Sequence, residues 1–256
     1  MTDRWQFRFQ CFLNSLMFFT RLPISKWVIY SEEYLNKASA YLPFVGIVVG
    51  CIAALSYYLL TFFLPIAIAI LLSMVLTIYI TGALHEDGFA DCCDGFGGGW
   101  TKEQILTILK DSRLGTYGTI GLILILALKY LTLTHLPLAL IPFAMISAHT
   151  LSRYSSILLM SLSTYTESDL MSKSKPLTQK LSQKALLITS ISAFLSSFVF
   201  FSFLQTISLL LVSITIVFLS KSYFYKKIQG FTGDTLGSVQ QVTEVACYLT
   251  MLALHF

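Results

Sequence analysis

Charged residues are scarce in this sequence, and their scarcity excludes a soluble globular protein. Only 12% of the 256 residues are charged and 55% are hydrophobic, whereas soluble domains carry about 25% charged residues. The mean hydropathy of +0.74 leaves too little polar surface to cover a globule in water. The same composition excludes disordered, collagen-like and coiled-coil chains.

Cysteine is present without the spacing of a disulfide framework or a zinc site. The five cysteines are an odd number at irregular spacing, which predicts reduced thiols. The sequence also lacks a Walker loop, a dinucleotide-binding fingerprint and a G-x-S-x-G elbow. The net charge of +4 does not predict a nucleic-acid partner, because the basic residues lie between apolar runs.

Long apolar runs are what the sequence supplies instead, and they predict membrane spans in a lipid bilayer. A spanning helix needs about 20 apolar residues. The runs that meet or approach this length are 41–64, 65–84, 116–134, 137–162, 185–204, 207–225 and 239–256. We therefore predict an all-α fold, a polytopic integral membrane helical bundle with about seven transmembrane helices plus interfacial or re-entrant helices.

The distribution of basic residues predicts the orientation of these spans. Of the 17 Lys and Arg residues, 15 lie in the N-terminal region or in the loops 85–115, 163–184 and 221–238, which the positive-inside rule assigns to the cytoplasm. Two fall inside spans. Lys129 is expected near an outer helix end, where it can snorkel, and Arg153 lies deeper and needs a partner or a wet cavity.

The whole chain, 1–256, is predicted to form one membrane domain that begins with an interfacial segment, 1–40. Within this segment the apolar run 7–22 is interrupted by Arg8, Asn14 and Arg21. We interpret it as an interfacial or re-entrant helix rather than an eighth span.

Acidic residues and glycines are concentrated between the second and third runs. Six of the 13 acidic residues lie between Glu86 and Asp111. Asp87, Asp91 and Asp94 are spaced i, i+4, i+7, so on a helix they fall within about 60° of arc. Three carboxylates on one face repel each other unless a cation lies among them. Oxygen ligands of this kind suit Mg²⁺ bound together with substrate phosphates.

Residues on either side of the three aspartates are further candidates for this site. Glu86 lies roughly 80° from their face and is a fourth candidate metal ligand, while His85 could donate a hydrogen bond that orients a ligand or the substrate. Gly97, Gly98 and Gly99 allow backbone N–H groups to approach an anion, which makes them a candidate diphosphate cradle. A flexible linker is the alternative interpretation of the triplet.

A helix after the glycines is predicted to bring basic residues to the site. Thr101 and Gln104 have the form of a capping box, and the residues that follow are amphipathic. This helix is expected to lie along the membrane surface and to carry Lys110 and Arg113 toward substrate phosphates, with Asp111 orienting one of them or binding metal. Ordinary interfacial charges are the alternative.

A second polar patch, 230–237, precedes the last apolar run. Asp234 lies there between glycines, close to Thr232 and Thr235, and is predicted to add a carboxylate and hydroxyls to the same site. We accordingly expect 85–115 and 226–238 to be cytoplasmic catalytic loops.

Three further polar residues lie inside apolar runs. Arg153 and His149 are one helical turn apart and could face one cavity, where Arg153 would meet a substrate phosphate; a packing role is the alternative. Glu244, in the last run, could be a buried proton-linked group.

Taken together, the motifs in 81–99, 110–118 and 230–237 resemble the cobalamin synthase family, the adenosylcobinamide-GDP ribazoletransferases. The segments 19–23 and 41–46 resemble its N-terminal stretch, so the resemblance covers nearly the whole chain in order. It implies a multi-pass enzyme of the bacterial cytoplasmic (inner) membrane whose active site faces the cytoplasm.

The resemblance also implies a reaction and a cofactor. Such an enzyme joins adenosylcobinamide-GDP to α-ribazole or α-ribazole 5′-phosphate, releases GMP and forms adenosylcobalamin or its 5′-phosphate, with Mg²⁺ as cofactor. Mg²⁺ held by Asp87, Asp91 and Asp94 would stabilise the leaving phosphate. A homo-oligomer, or association with other cobalamin-pathway enzymes, stays open.

Two other classes of protein fit part of the pattern. A CDP-alcohol phosphotransferase would use a similar Asp-Gly-rich patch, but it predicts Arg after Ala90, where this chain has Asp91. An ion-coupled transporter would place its acidic residues near the middle of spans, whereas most acids here lie at span ends.

Overall fold

The computed structural model describes residues 4–166 and 181–256, and in these residues the regular secondary structure is helical. The all-α class predicted from the sequence is thus confirmed. Short 3₁₀ turns at Ser25–Trp27 and Ser39–Tyr41 and one isolated bridge between Tyr165 and Phe231 complete the pattern. The α-helices are α1 (Arg4–Phe19), α2 (Glu32–Ala38), α3 (Leu42–Leu60), α4 (Ile66–Thr81), α5 (Leu84–Gly98), α6 (Lys102–Leu109), α7 (Thr116–His135), α8 (Ile141–Leu162), α9 (Gln183–Phe198), α10 (Phe203–Ile228) and α11 (Gly233–Ala253).

Helix α8 is the centre of the bundle. Of its 22 residues, 16 are buried, and it contacts α3, α9, α10 and α11. Two glycines of α3 allow the closest of these approaches. A Cβ atom added at Gly46 would lie 2.5 Å from the carbonyl oxygen of His149, and one at Gly50 would lie 2.7 Å from Cα of Ile146. This spacing of small residues is the one that lets two helices pack backbone to backbone in a membrane.

The outer helices are apolar and the inner ones carry the polar residues. In the most apolar windows of α7 and α10 only 22% of residues are buried inside the protein, and side chains such as Ile123, Leu124 and Leu211 face outward. By contrast, His149, Arg153 and Glu244 of α8 and α11 are buried. Apolar side chains facing outward, with charged side chains buried between helices, are the arrangement expected of a protein in lipid.

Several helices are long and apolar enough to cross a membrane. In the described residues these are Glu32–Leu60, Thr116–His135 and Phe203–Ile228. The first of them combines α2 and α3 in one continuous helical segment. The pair α4 and α5 would form a fourth span, but it is bent by 88°. These findings agree with a membrane protein, and the count of seven stays a prediction.

The other predicted runs also form helices, but each lacks one property of a simple span. Helices α4 and α9 have 16 residues each, or about 24 Å at ~1.5 Å per residue, against a hydrocarbon core of ~30 Å. Helices α8 and α11 are longer but carry buried polar side chains. These four helices therefore differ from the candidate spans in their length or in the polarity of their buried side chains.

The segments predicted as cytoplasmic catalytic loops, 85–115 and 226–238, are mostly helical, and their catalytic role stays a prediction. Residues 85–115 contain α5 and α6, and between Ile228 and Gly233 only a short linker interrupts α10 and α11. The bend before α5 is made by Gly82 and Ala83, both in the left-handed region with φ of 67° and 58°. Most of the expected loop 163–184 lies outside the described residues.

Replacing Gly50 by leucine is expected to lower the melting temperature of the purified protein in detergent by about 5 °C, because overpacking a close helix crossing costs about 1–3 kcal/mol. Gly98→Ala is the control, since an added Cβ there would meet only Ile108 Cδ1, at 3.5 Å. Equal melting of Gly50→Leu and the wild-type protein would show that α3 does not need this close approach.

Candidate active site

The predicted acidic stripe lies on helix α5. Asp87 is exposed, and Asp91 and Asp94 are half-buried. Because all three belong to one continuous α-helix, their spacing places them on one side of it, as the sequence predicts. The bend at Gly82 separates α5 from the apolar run of α4, so these carboxylates lie outside that run.

The second polar patch forms the start of α11. Thr232 caps the helix: its hydroxyl accepts from the N–H of Thr235, and the hydroxyl of Thr235 accepts from the N–H of Thr232. Asp234 lies in the first turn of the helix and is half-buried. A carboxylate in this position is favoured by the helix dipole.

Helices α5 and α11 cross at two glycines, and this crossing brings the two patches together. A Cβ atom at Gly88 would lie 2.9 Å from Cα of Asp234, and one at Gly237 would lie 3.3 Å from Cα of His85. The first turn of α11 therefore rests directly on α5, with Asp234 beside the acidic stripe. The two polar patches therefore lie next to each other, as the sequence predicts.

The four aspartates, Asp87, Asp91, Asp94 and Asp234, form what we call the acidic cluster. Burial, together with the charges of Asp234, Asp87 and Asp94, raises the pKa of Asp91 to about 7. The four groups are therefore close enough for their charges to act on one another. A cluster of this kind is stabilised when a cation offsets the repulsion.

The donor set of the acidic cluster fits a hard divalent cation, although its geometry is open. All candidate ligands are carboxylate oxygens, which suit Mg²⁺ rather than zinc. Among residues 4–166 and 181–256, no group of three or more His, Cys, Asp and Glu is close enough to enclose a metal ion. Mg²⁺ commonly takes only one or two protein carboxylates and completes its shell with water and phosphate.

Asp94 also anchors the next helix. Its carboxylate accepts hydrogen bonds from the backbone N–H of Gly115 at 2.7 Å and of Gly118 at 2.9 Å, at the start of α7. A side chain at either glycine would collide with that carboxylate. These glycines therefore serve close packing of α5 on α7, as their spacing suggests, and Asp94 occupies the position of an N-terminal cap.

Glu86 and His85 point away from the acidic stripe into the protein. Both are buried. Glu86 Oε1 accepts from Gln241 Nε2 of α11 at 3.0 Å, so its carboxylate is turned to the interior rather than to the flank of the three aspartates. The ring of His85 stacks on Phe19 of α1 at 6.4 Å, an arrangement that packs the N-terminal helix against α5.

The glycine triplet does not form the loop expected of a diphosphate cradle. Gly97 and Gly98 are the last residues of α5, and the N–H of Gly99 already donates to the carbonyl of Gly95 at 2.9 Å. A Cβ atom at Gly97 would lie 2.7 Å from the ring of Tyr117. Packing explains Gly97, and phosphate binding by the triplet stays a prediction.

The basic residues after α6 lie at the protein surface. The capping box of Thr101 and Gln104 that opens α6 is present, as predicted. Lys110 ends the helix and is exposed. Arg113 forms a two-pronged pair with Asp111, donating from Nε at 3.0 Å and from Nη2 at 2.6 Å, and these hydrogen bonds lower the pKa of Asp111. Asp111 thus orients Arg113, one of its two predicted roles.

The polar residues inside the spans pair with one another. Arg153 Nη1 lies 3.2 Å from His149 Nδ1, which lies 3.3 Å from Glu244 Oε2. Arg153 has the partner that its depth requires. The expectation that Lys129 snorkels is wrong: the residue is 3% exposed and forms an ion pair with Glu244. The reason is that α7 packs against α11, which supplies a carboxylate within reach.

Arg21, Gln240 and Gln241 were not identified as site residues from the sequence. The guanidinium of Arg21 lies over the α4–α5 bend, where a Cβ atom at Gly82 would be 2.5 Å from its Nε. Its position in the segment 19–23 was the available signal. Nothing in the apolar run of α11 marks the two glutamines, because their role depends on which helix faces them.

The chain is a helical bundle with an apolar exterior, as expected of a membrane protein. The acidic cluster at its α5–α11 crossing is a candidate site for binding a phosphate-bearing substrate. Residues 11–252 match the family model described as cobalamin-5-phosphate synthase. The chain therefore belongs to the cobalamin-5-phosphate synthase family, and its members are transferases.

Individual relatives agree with this assignment over nearly the full length. The chain is 45% identical to the adenosylcobinamide-GDP ribazoletransferase of Shewanella frigidimarina, over 98% of this chain and 97% of the relative. It is also 45% identical to the enzyme of that name from Leptospira interrogans, over 93% of each, and 43% identical to that of Shewanella baltica, over 98% and 96%. No solved structure matches the chain.

Replacing Asp94 by alanine is expected to destabilise the protein by about 1 kcal/mol, because the N–H groups that begin α7 lose their acceptor. Asp94→Asn should retain most of that stability, since its amide oxygen still accepts. Thermal unfolding in detergent measures both, and Glu103→Gln, at an exposed position of α6, serves as control. An Asp94→Ala variant that melts with the wild type would contradict the anchoring role.

Proposed function

We propose that this protein joins adenosylcobinamide-GDP to α-ribazole or α-ribazole 5′-phosphate, releasing GMP and forming adenosylcobalamin or its 5′-phosphate. One observation carries the proposal: the α5–α11 crossing at Gly88 and Gly237 gathers four carboxylates in a chain 45% identical to enzymes named for this transfer. A cluster of oxygen ligands is what displacement at a diphosphate requires.

The acidic cluster would serve the two charges that change during the reaction. The ribazole 3′-hydroxyl attacks the phosphorus on the cobinamide side of the diphosphate, so a proton must leave the hydroxyl and negative charge must develop on GMP. One or two of Asp87, Asp91 and Asp234 would hold Mg²⁺, with water and substrate phosphate completing its shell, and the bound ion would neutralise that developing charge. A carboxylate of the cluster left free of metal would accept the hydroxyl proton. Asp94 would keep its structural role, in which its carboxylate attaches α5 to the start of α7.

Basic residues on the segments that precede and follow α5 would bind the diphosphate oxygens. Arg113 is held by Asp111 with its guanidinium at the surface, Lys110 lies three residues before it, and Arg21 lies over the bend that begins α5. Guanidinium groups suit phosphate because they donate two parallel hydrogen bonds. Arg153 is too deeply enclosed by His149 to be our first choice as a phosphate ligand.

The membrane arrangement proposed with this function has seven spans and a cytoplasmic site in the bacterial inner membrane. It is supported by the segregation of Lys and Arg into segments on one side of the apolar runs. Water-soluble nucleotide substrates would then reach the acidic cluster from the cytoplasm. A homo-oligomer and association with other enzymes of cobalamin synthesis remain part of the proposal, untested by any contact described above.

The transporter alternative predicts an acidic residue inside a span, and Glu244 is one. Its carboxylate is already engaged by Lys129, His149 and Gln240. A carboxylate with three such partners is poorly suited to exchange an ion during transport. The transferase is therefore the function we propose.

Asp87→Asn and Asp91→Asn are each expected to reduce transfer by at least about a hundredfold, because each removes a charged ligand from the cluster, while leaving the protein folded. GMP release is measured on purified protein in detergent supplied with adenosylcobinamide-GDP and α-ribazole. Glu103→Gln, on the exposed side of α6, is the control. Full activity in the Asn variants would refute this site, and no GMP release by the wild type would refute the transfer itself.

Chelation of divalent cations is expected to stop GMP release, and added Mg²⁺ should restore it, since oxygen ligands prefer a hard ion. The assay compares EDTA-treated protein after addition of Mg²⁺ or Zn²⁺. Restoration by Zn²⁺ alone would contradict an all-carboxylate site.

A further inference from the structure

A chain of buried polar side chains links the interior of the bundle to the acidic cluster. It crosses four helices, α5, α7, α8 and α11, and its residues are all buried. We call it the interior network. Its members are Glu86, Lys129, Ser152, Gln240, Gln241 and Glu244.

The side-chain amides of Gln240 and Gln241 are each fixed in one orientation, and the Glu244 carboxylate determines that orientation. Gln240 Nε2 donates to Glu244 Oε2 at 2.7 Å and to Ser152 Oγ at 3.0 Å, which uses both of its hydrogens. Its carbonyl is thereby turned to Gln241, whose Nε2 donates to it at 2.9 Å. Reversing the amide of Gln240 would set its carbonyl oxygen against a carboxylate.

The chain of donors ends on Glu86. The second hydrogen of Gln241 Nε2 is directed at Glu86 Oε1, 3.0 Å away. Glu86 directly precedes Asp87 and lies in the same turn as Gly88, on which Asp234 rests. The hydrogen bond from α11 to Glu86 is therefore a second tie across the crossing that assembles the acidic cluster.

The ion pair of Lys129 and Glu244 fixes the far end of this chain. Their side chains are 4% and 1% exposed, so loss of either would leave a charge buried without its compensation. Without Lys129, Glu244 would be held by His149 and Gln240 alone, and the ion pair would no longer fix the carboxylate that orients Gln240 and Gln241.

We propose that the buried Lys129–Glu244 pair is a positioning element for the acidic cluster, acting through Gln240 and Gln241 on Glu86 to hold the first turn of α5 against α11. The inference rests on the proposed use of Mg²⁺ by this cluster. Lys129 and Glu244 touch none of the four aspartates; they act by setting how Asp87 and Asp91 face Asp234.

The test is a charge-pair cycle read by Mg²⁺-dependent protection against thermal unfolding, which needs no substrate. Lys129→Met and Glu244→Gln should each raise the Mg²⁺ concentration for half-maximal protection by about tenfold, the size expected when a group that orients metal ligands is lost. The double variant buries no unpaired charge, but it lacks the carboxylate that orients Gln240, so it should still show the raised Mg²⁺ midpoint.

Gln241→Leu keeps all the charges and removes the amide that joins Gln240 to Glu86, so it should show the same tenfold rise even if a charge variant fails to fold. Thr243→Val is the matched control. It lies beside Glu244 on α11, and its buried hydroxyl has no hydrogen-bond partner among the described residues. It should leave the Mg²⁺ midpoint unchanged.

Folded Lys129→Met and Gln241→Leu proteins with the wild-type Mg²⁺ midpoint would overturn the inference, as would a wild-type protein that Mg²⁺ does not protect. If Mg²⁺ protects the wild type and the variants shift as expected, but no GMP is released from adenosylcobinamide-GDP, the proposed function fails and the positioning role stands.

Discussion

The close crossing of α5 and α11 is the constraint on which the rest of the site depends. Gly88 and Gly237 have no side chains, so the backbone of each helix can rest on the other. Segments almost 150 residues apart in the sequence thereby contribute carboxylates to one place. Burial of these carboxylates and their mutual repulsion are a cost, since both raise the pKa of Asp91, and the packing of the two helices offsets it.

Within its apolar helices, the same bundle buries the charged side chains of Lys129, Arg153 and Glu244 and turns apolar side chains outward. In lipid there is no water to receive a polar side chain. Lys129 and Glu244 are therefore paired with each other across α7 and α11, and Arg153 donates to His149 of its own helix, which in turn contacts Glu244. The outward faces of α7 and α10 need no such partners. Pairs of polar side chains therefore stabilise the contacts between helices in this protein, in addition to the close packing at the small residues of α3.

The sequence predicts well which segments form helices, but it predicts less well what individual side chains on those helices contact. Apolar run length predicts α3, α7 and α10, and the spacing of Asp87, Asp91 and Asp94 predicts one acidic face, because both depend on neighbours along the chain. The burial of Lys129, the inward turn of Glu86 and the packing role of Gly97 could not be predicted in this way. Each depends on which helix lies opposite, and a single sequence does not state that.

The attachment of Asp94 to the first turn of α7 couples the site to the bilayer itself. Helix α7 is 20 residues long, or about 30 Å, and presents most of its surface to lipid. Such a helix adjusts its tilt when hydrocarbon thickness changes. Because the N–H groups of Gly115 and Gly118 hold the Asp94 carboxylate, such an adjustment would move an acidic group of the cluster, and acyl-chain length would then be a variable of the proposed chemistry.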